Sequence, residues 1–226
     1  MKIKAIITGA SGMVGKGVLI ECLESSDVES VLIINRKPLA ITHPKLTEVL
    51  LSNFTKFDTI ASELKGYNAC FHCMGVSSIG KGEEEFNRFT YTMTKSLVDT
   101  LAAISTNLVF NYVSGTGTDS SEKGKIMWAR VKGKTENMIF HTGFKDAYAF
   151  RPGAIIPEKG IKSKTSWYNA AYVILKPLFP FFKKMDSITT SSRLGLAMIN
   201  SVLHPQENKF LENTDINKLA LNPTLK

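Results

Sequence analysis

Cysteine is scarce in this chain. The 226 residues contain three cysteines, Cys22, Cys70 and Cys73, too few for the disulfide framework of a small secreted protein. Cys70 and Cys73 have the spacing of a metal-binding pair, but they lie in an apolar run that we interpret as a β-strand. Side chains three residues apart on a strand point to opposite faces, so the two thiols should diverge. We therefore predict reduced thiols and no metal site.

Long hydrophobic runs are also missing. No stretch of about 18 uncharged apolar residues occurs, so we expect no integral membrane helix. The first four residues lead straight into a short apolar run, without the long apolar core and cleavage site of a signal peptide. Together with the low cysteine content, these features predict a cytoplasmic protein.

Acidic residues are fewer than basic ones. The chain has 20 Asp and Glu against 28 Lys and Arg, for a formal net charge of +8. A basic surface can bind nucleic acid, but these cations are dispersed and no nucleic-acid motif accompanies them. We therefore favour a solvated basic face and predict no nucleic-acid partner.

One late segment is rich in aromatic residues. They are Trp167, Tyr168, Tyr172, Phe179, Phe181 and Phe182, beside Lys176, Lys183 and Lys184. A membrane-surface element is one interpretation of this composition. We favour packing in the core or in a pocket wall, because Pro177 and Pro180 interrupt any long amphipathic helix.

What the sequence does contain is a glycine-rich turn near its start. An apolar run at residues 3–8 is followed by Gly9, Gly12 and Gly15, and then by a helix-like pattern. A strand that turns through glycines into a helix lets backbone N–H groups approach a pyrophosphate, and the helix N-terminus favours negative charge. The turn therefore predicts a dinucleotide site whose remaining members are Ser11, Met13 and Val14.

The hydrophobic pattern alternates between strand-like and helix-like segments. The predicted strands are residues 3–8, 31–35, 48–51, 69–73, 108–113, 147–151 and 209–211. Such alternation indicates an α/β fold, a doubly wound parallel sheet of the Rossmann type. We predict a single domain over residues 1–226, with a cofactor part at about 1–150 and a short substrate-side part at about 151–226. The irregular stretch 152–186 is predicted to form the wall of the substrate pocket.

The residues after the second strand bear on the choice of cofactor. An NAD site usually has an acidic residue there for the ribose diol, whereas a 2′-phosphate requires a cation. This chain has Asn35, Arg36 and Lys37 instead. Arg36 offers a planar fork to a phosphate and Lys37 adds a second charge. NADP(H) is therefore predicted, with NAD(H) less favoured; a solvated basic turn is the plainer interpretation.

Several motifs together resemble one known family. They are the glycine turn at residues 8–15, His72-Cys73-Met74-Gly75, Tyr112-Val113-Ser114, Val131-Lys132-Gly133 and Arg151-Pro152-Gly153. Over nearly its whole length the chain resembles the short-chain dehydrogenase/reductase superfamily. It is most similar to the atypical branch, which includes Tat-interacting-protein-like oxidoreductases and nucleoside-diphosphate-sugar-epimerase-like proteins.

The resemblance implies further cofactor contacts. Cys73, Met74 and Gly75 would lie near the nicotinamide ribose, and Asn53 and Phe54 fall where the family contacts adenine. It also implies that Pro152 and Gly153 border the nicotinamide amide and the substrate.

The same resemblance implies catalytic positions. Ser114 stands at the catalytic serine, and Lys132 stands at the lysine of the family's Tyr-x-x-x-Lys motif. The lysine would bind the nicotinamide ribose and lower the pKa of the tyrosine. However, the position four residues before Lys132 is Trp128. An indole N–H donates a hydrogen bond but does not ionise usefully, so it cannot replace the tyrosine as general acid. Tyr91, Tyr112 or a water could substitute, although both tyrosines are more simply explained as packed aromatics.

These observations predict an NADP-dependent oxidoreductase or epimerase-like enzyme that acts on a small molecule, with Trp128 in place of the usual tyrosine. The alternative is an NADPH-binding regulatory or redox-sensing protein with little catalysis. A monomer or homodimer is expected in either case.

Overall fold

A parallel seven-stranded sheet forms the centre of the molecule. The computed structural model describes residues 2–161, 182 and 185–221. The strand order is β3-β2-β1-β4-β5-β6-β9, and all neighbours are parallel. The strands are β1 Ile3–Thr8, β2 Val28–Asn35, β3 Leu46–Leu50, β4 Ala69–His72, β5 Val109–Val113, β6 Asp146–Arg151 and β9 Phe210–Glu212. The predicted α/β class and parallel sheet are confirmed, with strand ends shifted by at most about three residues.

Helices cover both faces of this sheet. They are α1 Met13–Glu24, α2 Glu83–Asn87, α3 Met93–Ile104, α4 Met127–Phe140, α5 Ser191–Leu203 and α6 Asn213–Leu221. Buried residues of α1, α5 and α6 share one core cluster, and those of α3 and α4 share the other. Strands covered on both faces can be apolar throughout, which explains continuous runs such as residues 31–34.

The direction of strand order changes between β1 and β4. From β1 the chain first adds β2 and β3 on one side, and then crosses over to add β4, β5 and β6 on the other. Helices that diverge on the two sides of this point leave a crevice at the carboxyl ends of the strands. The fold therefore places the residues that follow β1, β2, β3 and β4 around one opening.

Two features of the fold were not predicted. A small parallel sheet pairs β7, Ala154–Ile156, with β8, Ile188–Thr190, so part of the stretch predicted as irregular is extended. Three-residue strands whose partners are distant in sequence have no local signal. A π-helical turn, Arg88–Thr92, also separates α2 from α3. It inserts an extra residue in the helical pattern.

Part of the late chain is not described by the structure. The predicted aromatic segment, apart from Phe182, lies outside the described residues, and so does most of the predicted pocket wall. Within the described ranges, every helix is too short or too polar to cross a bilayer.

Candidate functional site

The turn between β1 and α1 is built so that backbone lies against backbone. Gly9 has a φ of 75°, and a Cβ there would lie 2.7 Å from the carbonyl oxygen of Cys73. A Cβ on Gly15 would overlap the Gly9 carbonyl, which accepts a 2.9 Å hydrogen bond from the Gly12 N–H. A side chain is thus excluded at Gly9 because the turn lies against the backbone that follows β4, and at Gly15 because the helix begins against the turn's own backbone.

The N-terminus of α1 opens toward this turn. Gly12 is the N-cap, and the first helical bond runs from the Lys16 N–H to the Gly12 carbonyl at 2.9 Å. The N–H groups of Met13, Val14 and Gly15 therefore precede the first intrahelical donor. No acidic side chain stands in this first turn, which leaves the positive end of the helix dipole available to a phosphate.

A cleft of about 300 Å³ lies over the crevice between β1 and β4. It is lined by Gly9, Ser11, Gly12, Ile34, Asn35, Arg36, Ser52, Asn53, Phe54, Cys73, Met74, Gly75, Val76, Phe89 and Met93. The predicted cofactor residues of four separate loops are thus brought together. Its mix of glycine backbone, one guanidinium and apolar side chains fits a dinucleotide: backbone for phosphate, cation for an added phosphate, apolar surface for a base.

The end of β2 supplies the charged part of the cleft. Arg36 is exposed and lines the cleft, whereas Lys37 is exposed but is not among the lining residues. Asn35 is buried, and its amide donates a 2.8 Å hydrogen bond to the Glu48 carboxylate on β3. The second predicted cation therefore lies at the margin of the site rather than in its wall.

The thiols near the cleft are not activated. Burial raises the pKa of Cys73, Cys70 and Cys22 well above the ordinary range, so these thiols are protonated at neutral pH. Cys70 is part of the α3–α4 core cluster, whereas Cys73 packs against the cluster on the other face. The two thiols point to opposite sides of the sheet, and the described residues contain no group of three metal-ligating side chains.

A second group of predicted residues surrounds the loop after β5. The Ser114 hydroxyl is buried and lies 2.9 Å from the Thr118 hydroxyl, which donates to the Gly115 carbonyl at 2.7 Å. Because the one hydroxyl proton of Thr118 is donated to the Gly115 carbonyl, Ser114 is the donor in its contact with Thr118. The Ser114 oxygen therefore keeps acceptor capacity, but its proton is engaged.

Lys132 approaches the same loop from α4. Its ammonium lies 3.4 Å from the Val113 carbonyl and 5.5 Å from the centre of the Tyr112 ring. Desolvation lowers the pKa of Lys132 to about 8, and the nearby Glu136 carboxylate partly opposes that change. At neutral pH the group is therefore a cation, held close to the end of β5.

Trp128 lies one turn before Lys132 and is partly buried. A Cβ added to Gly117 would lie 3.7 Å from the indole ring, so Trp128 borders the loop that carries Ser114. Tyr112 is only 2 % exposed, and burial raises the pKa of its phenol. Tyr91 lies beneath Lys134, whose ammonium is 4.4 Å from the ring centre. These contacts agree with packed aromatics at both tyrosines.

The turn after β6 is tied to the same region. The Thr116 N–H donates to the Pro152 carbonyl at 3.2 Å, and the Gly153 N–H donates to the Asn213 side chain at 3.2 Å. The predicted residues Pro152 and Gly153 therefore lie beside the Ser114 loop. Beneath them, Arg151 forms a two-point ion pair with buried Glu136 at 3.0 and 2.5 Å.

His72 sits under the site, where it holds β1 to α3. Its Nδ1 lies 2.7 Å from the Thr8 hydroxyl and its Nε2 lies 2.9 Å from the Thr94 hydroxyl. Thr94 donates to the Thr90 carbonyl at 2.5 Å, so it accepts from Nε2–H, and Nδ1 accepts from Thr8. Burial lowers the pKa of His72 to about 3, which makes it a neutral structural residue.

Sequence reasoning did not single out every residue around the site. Phe89 and Met93 line the cleft from the π-helical turn and the start of α3, and Val76 lines it from the loop after β4. Glu48 and Thr118, which hold Asn35 and Ser114, were also missed. An irregular helix, a side-chain contact between two strands and a contact within an irregular loop leave no periodic signal in the sequence.

The chain is similar in sequence to several curated proteins. It is 27% identical over 163 residues to Protein HTATIP2 of Rattus norvegicus. The aligned region covers 71% of this chain and 66% of that protein, so the chain spans just under two thirds of this relative's length. It is 20% identical over 225 residues to Protein FMP52, mitochondrial, of Meyerozyma guilliermondii, covering 96% and 95% of the two chains.

Solved structures share the fold. A UDP-N-acetylglucosamine 4-epimerase from Methanobrevibacter ruminantium M1 superimposes with a TM-score of 0.69 at 16% identity, covering 94% of this chain and 76% of its own. The Bordetella bronchiseptica enzyme WbmF, solved in complex with NAD+, superimposes with a TM-score of 0.67 at 14% identity. The superposition covers 98% of this chain and 77% of WbmF.

The family comparison covers the glycine turn and the loops that build the cleft. The model of the NAD dependent epimerase/dehydratase family matches residues 5–125, which is more than half of the chain. That span runs from β1 through the loop after β5. The chain therefore belongs to the NAD dependent epimerase/dehydratase family.

Proposed function

We propose that the protein is an NADP(H)-dependent oxidoreductase or epimerase-like enzyme that acts on a small molecule. The observation that carries this proposal is the cleft, which is lined by the glycine turn, by Gly12 at the N-terminus of α1 and by Arg36 directly after β2. Backbone N–H groups suit a pyrophosphate, and an exposed guanidinium suits the 2′-phosphate that distinguishes NADP(H) from NAD(H). The fold of this family supports a nicotinamide dinucleotide in general.

The chain's own residues have separable roles in this proposal. Asn53 and Phe54 would form the wall for the adenine, and Met74 would lie near the nicotinamide ribose. Lys132, as a cation, would hold ribose hydroxyls at the other end, close to the Val113 carbonyl. A bound nicotinamide cofactor supplies or accepts the hydride. Ser114 would orient a substrate hydroxyl by accepting its hydrogen bond, and the turn at Pro152 and Gly153 would limit the space for it.

The residue at position 128 bears on how the substrate oxygen receives its proton, and here it is Trp128. Its indole N–H can donate a hydrogen bond to a substrate oxygen but cannot release a proton to it. An oxygen that gains negative charge during reduction must therefore take its proton from another group, such as water. We accordingly propose turnover that is slow compared with an enzyme carrying tyrosine at this position.

A second candidate is an NADPH-binding regulatory protein with little catalysis. Two observations favour it: Trp128 does not ionise, and the Ser114 hydroxyl already donates its hydrogen bond to Thr118. The redox-sensing form of this candidate has less support, because burial raises the pKa of all three thiols. Measurable hydride exchange with a panel of carbonyl substrates would favour the enzyme over this candidate.

Cofactor preference is the first test. Arg36→Ala should weaken NADPH binding about 10- to 150-fold and leave NADH binding nearly unchanged, since a hydrogen bond to a charged group contributes about 1.5–3 kcal/mol. Calorimetric titration of both proteins with both cofactors measures this difference. Lys37→Ala is the matched control, because Lys37 does not line the cleft and should have a smaller effect. Equal affinity of the unaltered protein for NADH and NADPH would contradict the NADP assignment.

We also propose a cytoplasmic location, which the low cysteine content supports. Fractionation of cells that express the chain at its natural level tests this. The fungal relative is named as mitochondrial, so the mitochondrial fraction is the informative alternative.

A further inference from the structure

The residues that follow β2 form a short turn that carries the cations of the cleft. β2 ends at Asn35, and Arg36, Lys37 and Pro38 come before Leu39, which is partly buried and packs against the α1–α5 side of the core. Arg36 lines the cleft from this turn. A long, exposed side chain on an unrestrained turn would lose much conformational freedom when it binds an anion.

A single carboxylate holds both ends of this turn. Oε1 of Glu48 accepts a 2.8 Å bond from the Asn35 amide and a 3.1 Å bond from the Leu39 N–H, and Oε2 lies 3.4 Å from the same N–H. Glu48 can do this because it lies in β3, where it pairs with Ile33 of β2. The three residues between the two donors are thereby closed into a fixed loop.

The position of this acid distinguishes its effect from that of the usual ribose-binding acid. The carboxylate does not stand at the end of β2 but reaches that end from the neighbouring strand, through the side chain of Asn35. Its bonds go to Asn35 and Leu39, while Arg36 lines the cleft. A negative charge near a 2′-phosphate is unfavourable in itself. The useful property of Glu48 is therefore its reach to two donors, not its charge.

We propose that Glu48 is a positioning residue that sets the preference for NADPH over NADH by clamping the turn that bears Arg36. The inference rests on the proposed function, since it assumes that Arg36 receives the 2′-phosphate. It assigns to Glu48 no contact with the cofactor.

Three substitutions separate reach from charge. Glu48→Gln keeps an oxygen at the position of Oε1 and removes the charge. Glu48→Asp keeps the charge but is one methylene too short to reach both donors, and Glu48→Ala removes both properties. We expect the ratio of the NADH to the NADPH dissociation constant to fall about fivefold or more in the Asp and Ala variants, through weaker NADPH binding alone. The Gln variant should keep the ratio or raise it.

Matched controls are available at the other end of β2. Glu29 is exposed and forms a 3.0 Å ion pair with Lys4. Glu29→Gln and Glu29→Ala remove the same charge from β2, the strand that neighbours β3, and should leave both dissociation constants unchanged. Calorimetry with NADPH and with NADH, on proteins whose thermal unfolding has been checked, provides the readout. If Glu48 had only a structural role, its substitution would weaken the binding of both NADPH and NADH to the same extent.

Each other outcome overturns the clamp. The clamp is contradicted if the Asp and Ala variants bind both cofactors more weakly to the same extent, or if neither dissociation constant changes. A Gln variant that behaves like the Ala variant would mean that the charge acts, and selective loss of NADH would mean that Glu48 binds the ribose directly. If Arg36→Ala leaves NADPH affinity unchanged, the NADP assignment fails and the clamp with it. If Arg36→Ala weakens NADPH but the Glu48 series does not, only the clamp fails.

Discussion

Trp128 and Lys132 lie on one face of α4, one helical turn apart, beside the loop that carries Ser114. The lysine supplies a cation, but the tryptophan supplies no proton. Introducing a phenol at residue 128 therefore tests whether the rest of the site is competent. A nearby ammonium favours the phenolate and brings the pKa of the phenol toward the working range.

We expect Trp128→Tyr to gain or increase NADPH-dependent reduction of carbonyl compounds. A correctly placed acid commonly contributes about 100- to 10,000-fold in rate. The measurement is the loss of NADPH absorbance with a broad panel of carbonyl substrates. Trp128→Phe is the matched control, because it has a similar ring but no hydroxyl, and it should not gain activity. Fast turnover by the natural protein that Trp128→Tyr reduces would show that the indole itself serves the substrate.

The pKa of Lys132 predicts how the affinity for the cofactor should depend on pH. Desolvation lowers its pKa to about 8 in the free protein, so the ammonium is largely present at pH 7 and largely absent at pH 9. If the ammonium holds the ribose, cofactor affinity should fall up to about tenfold between these pH values. Lys132→Met should bind the cofactor more weakly at pH 7, and its affinity should not vary over this range. Fluorescence titration at several pH values measures both effects.

The Lys132→Met protein also needs a check of its fold. Removing a partly desolvated charge should leave the thermal unfolding temperature close to that of the natural protein. Parallel pH profiles in the two proteins would show that Lys132 does not hold the cofactor.

Among the elements, α1, whose N-terminus lines the cleft, packs closely against α5. A Cβ on Gly17 of α1 would lie 2.7 Å from the Cβ of Ser191 and 2.8 Å from its carbonyl oxygen. A Cβ on Gly195 of α5 would lie 3.2 Å from the Cα of Val18. The two helices therefore touch at small residues, which brings the backbone of α5 directly against α1, the helix that begins at the glycine turn.

We expect Gly17→Ala to destabilise the protein by about 1–2 kcal/mol. Alanine gains up to about 1 kcal/mol of helix propensity, but overpacking against a backbone carbonyl costs about 1–3 kcal/mol and often more. Urea unfolding measures the difference. Gly82→Ala is the control, since a Cβ there meets no atom within 4 Å. A stabilised Gly17→Ala protein would mean that α5 can move away from α1 without cost.

The sequence revealed this fold wherever the pattern of a segment is local. Strands such as β1 and β4 are mostly apolar runs, and the glycine turn has a fixed spacing, so both were predictable. The β7–β8 pairing was not predictable, because it depends on partners far along the chain, and neither was the π-helical turn that contains Phe89, because it depends on one inserted residue. The bonds of Glu48, which join two neighbouring strands, and those of Thr118, which lie within an irregular loop, have no periodic signal either.

At the scale of the whole molecule, two apolar clusters enclose the sheet, and several buried polar side chains join helix to strand. His72 is the clearest of these, since it is fully buried and joins β1 to α3 through Thr8 and Thr94. Burial lowers its pKa to about 3, and the Lys132 ammonium acts in the same direction. The folded protein therefore holds this imidazole neutral.

This buried imidazole makes global stability dependent on pH. Above about pH 6.5 the ring is neutral in both states and has no effect. Below that value the unfolded chain binds a proton that the folded chain refuses until about pH 3, so the free energy of unfolding falls as the pH falls. The loss approaches about 1.4 kcal/mol per pH unit within this window.

We expect His72→Gln to remove this dependence. Urea unfolding of both proteins between pH 7 and pH 4.5 should show a steeper loss of stability in the natural protein, by close to one proton taken up on unfolding. Glutamine can still accept from Thr8 or donate to Thr94, but its geometry differs, so the variant should be less stable at pH 7. If it does not fold, NMR titration of the natural protein answers the question directly. An imidazole that protonates near pH 6.5 in the folded state would contradict the prediction, because the ring would then be accessible to water rather than locked between β1 and α3.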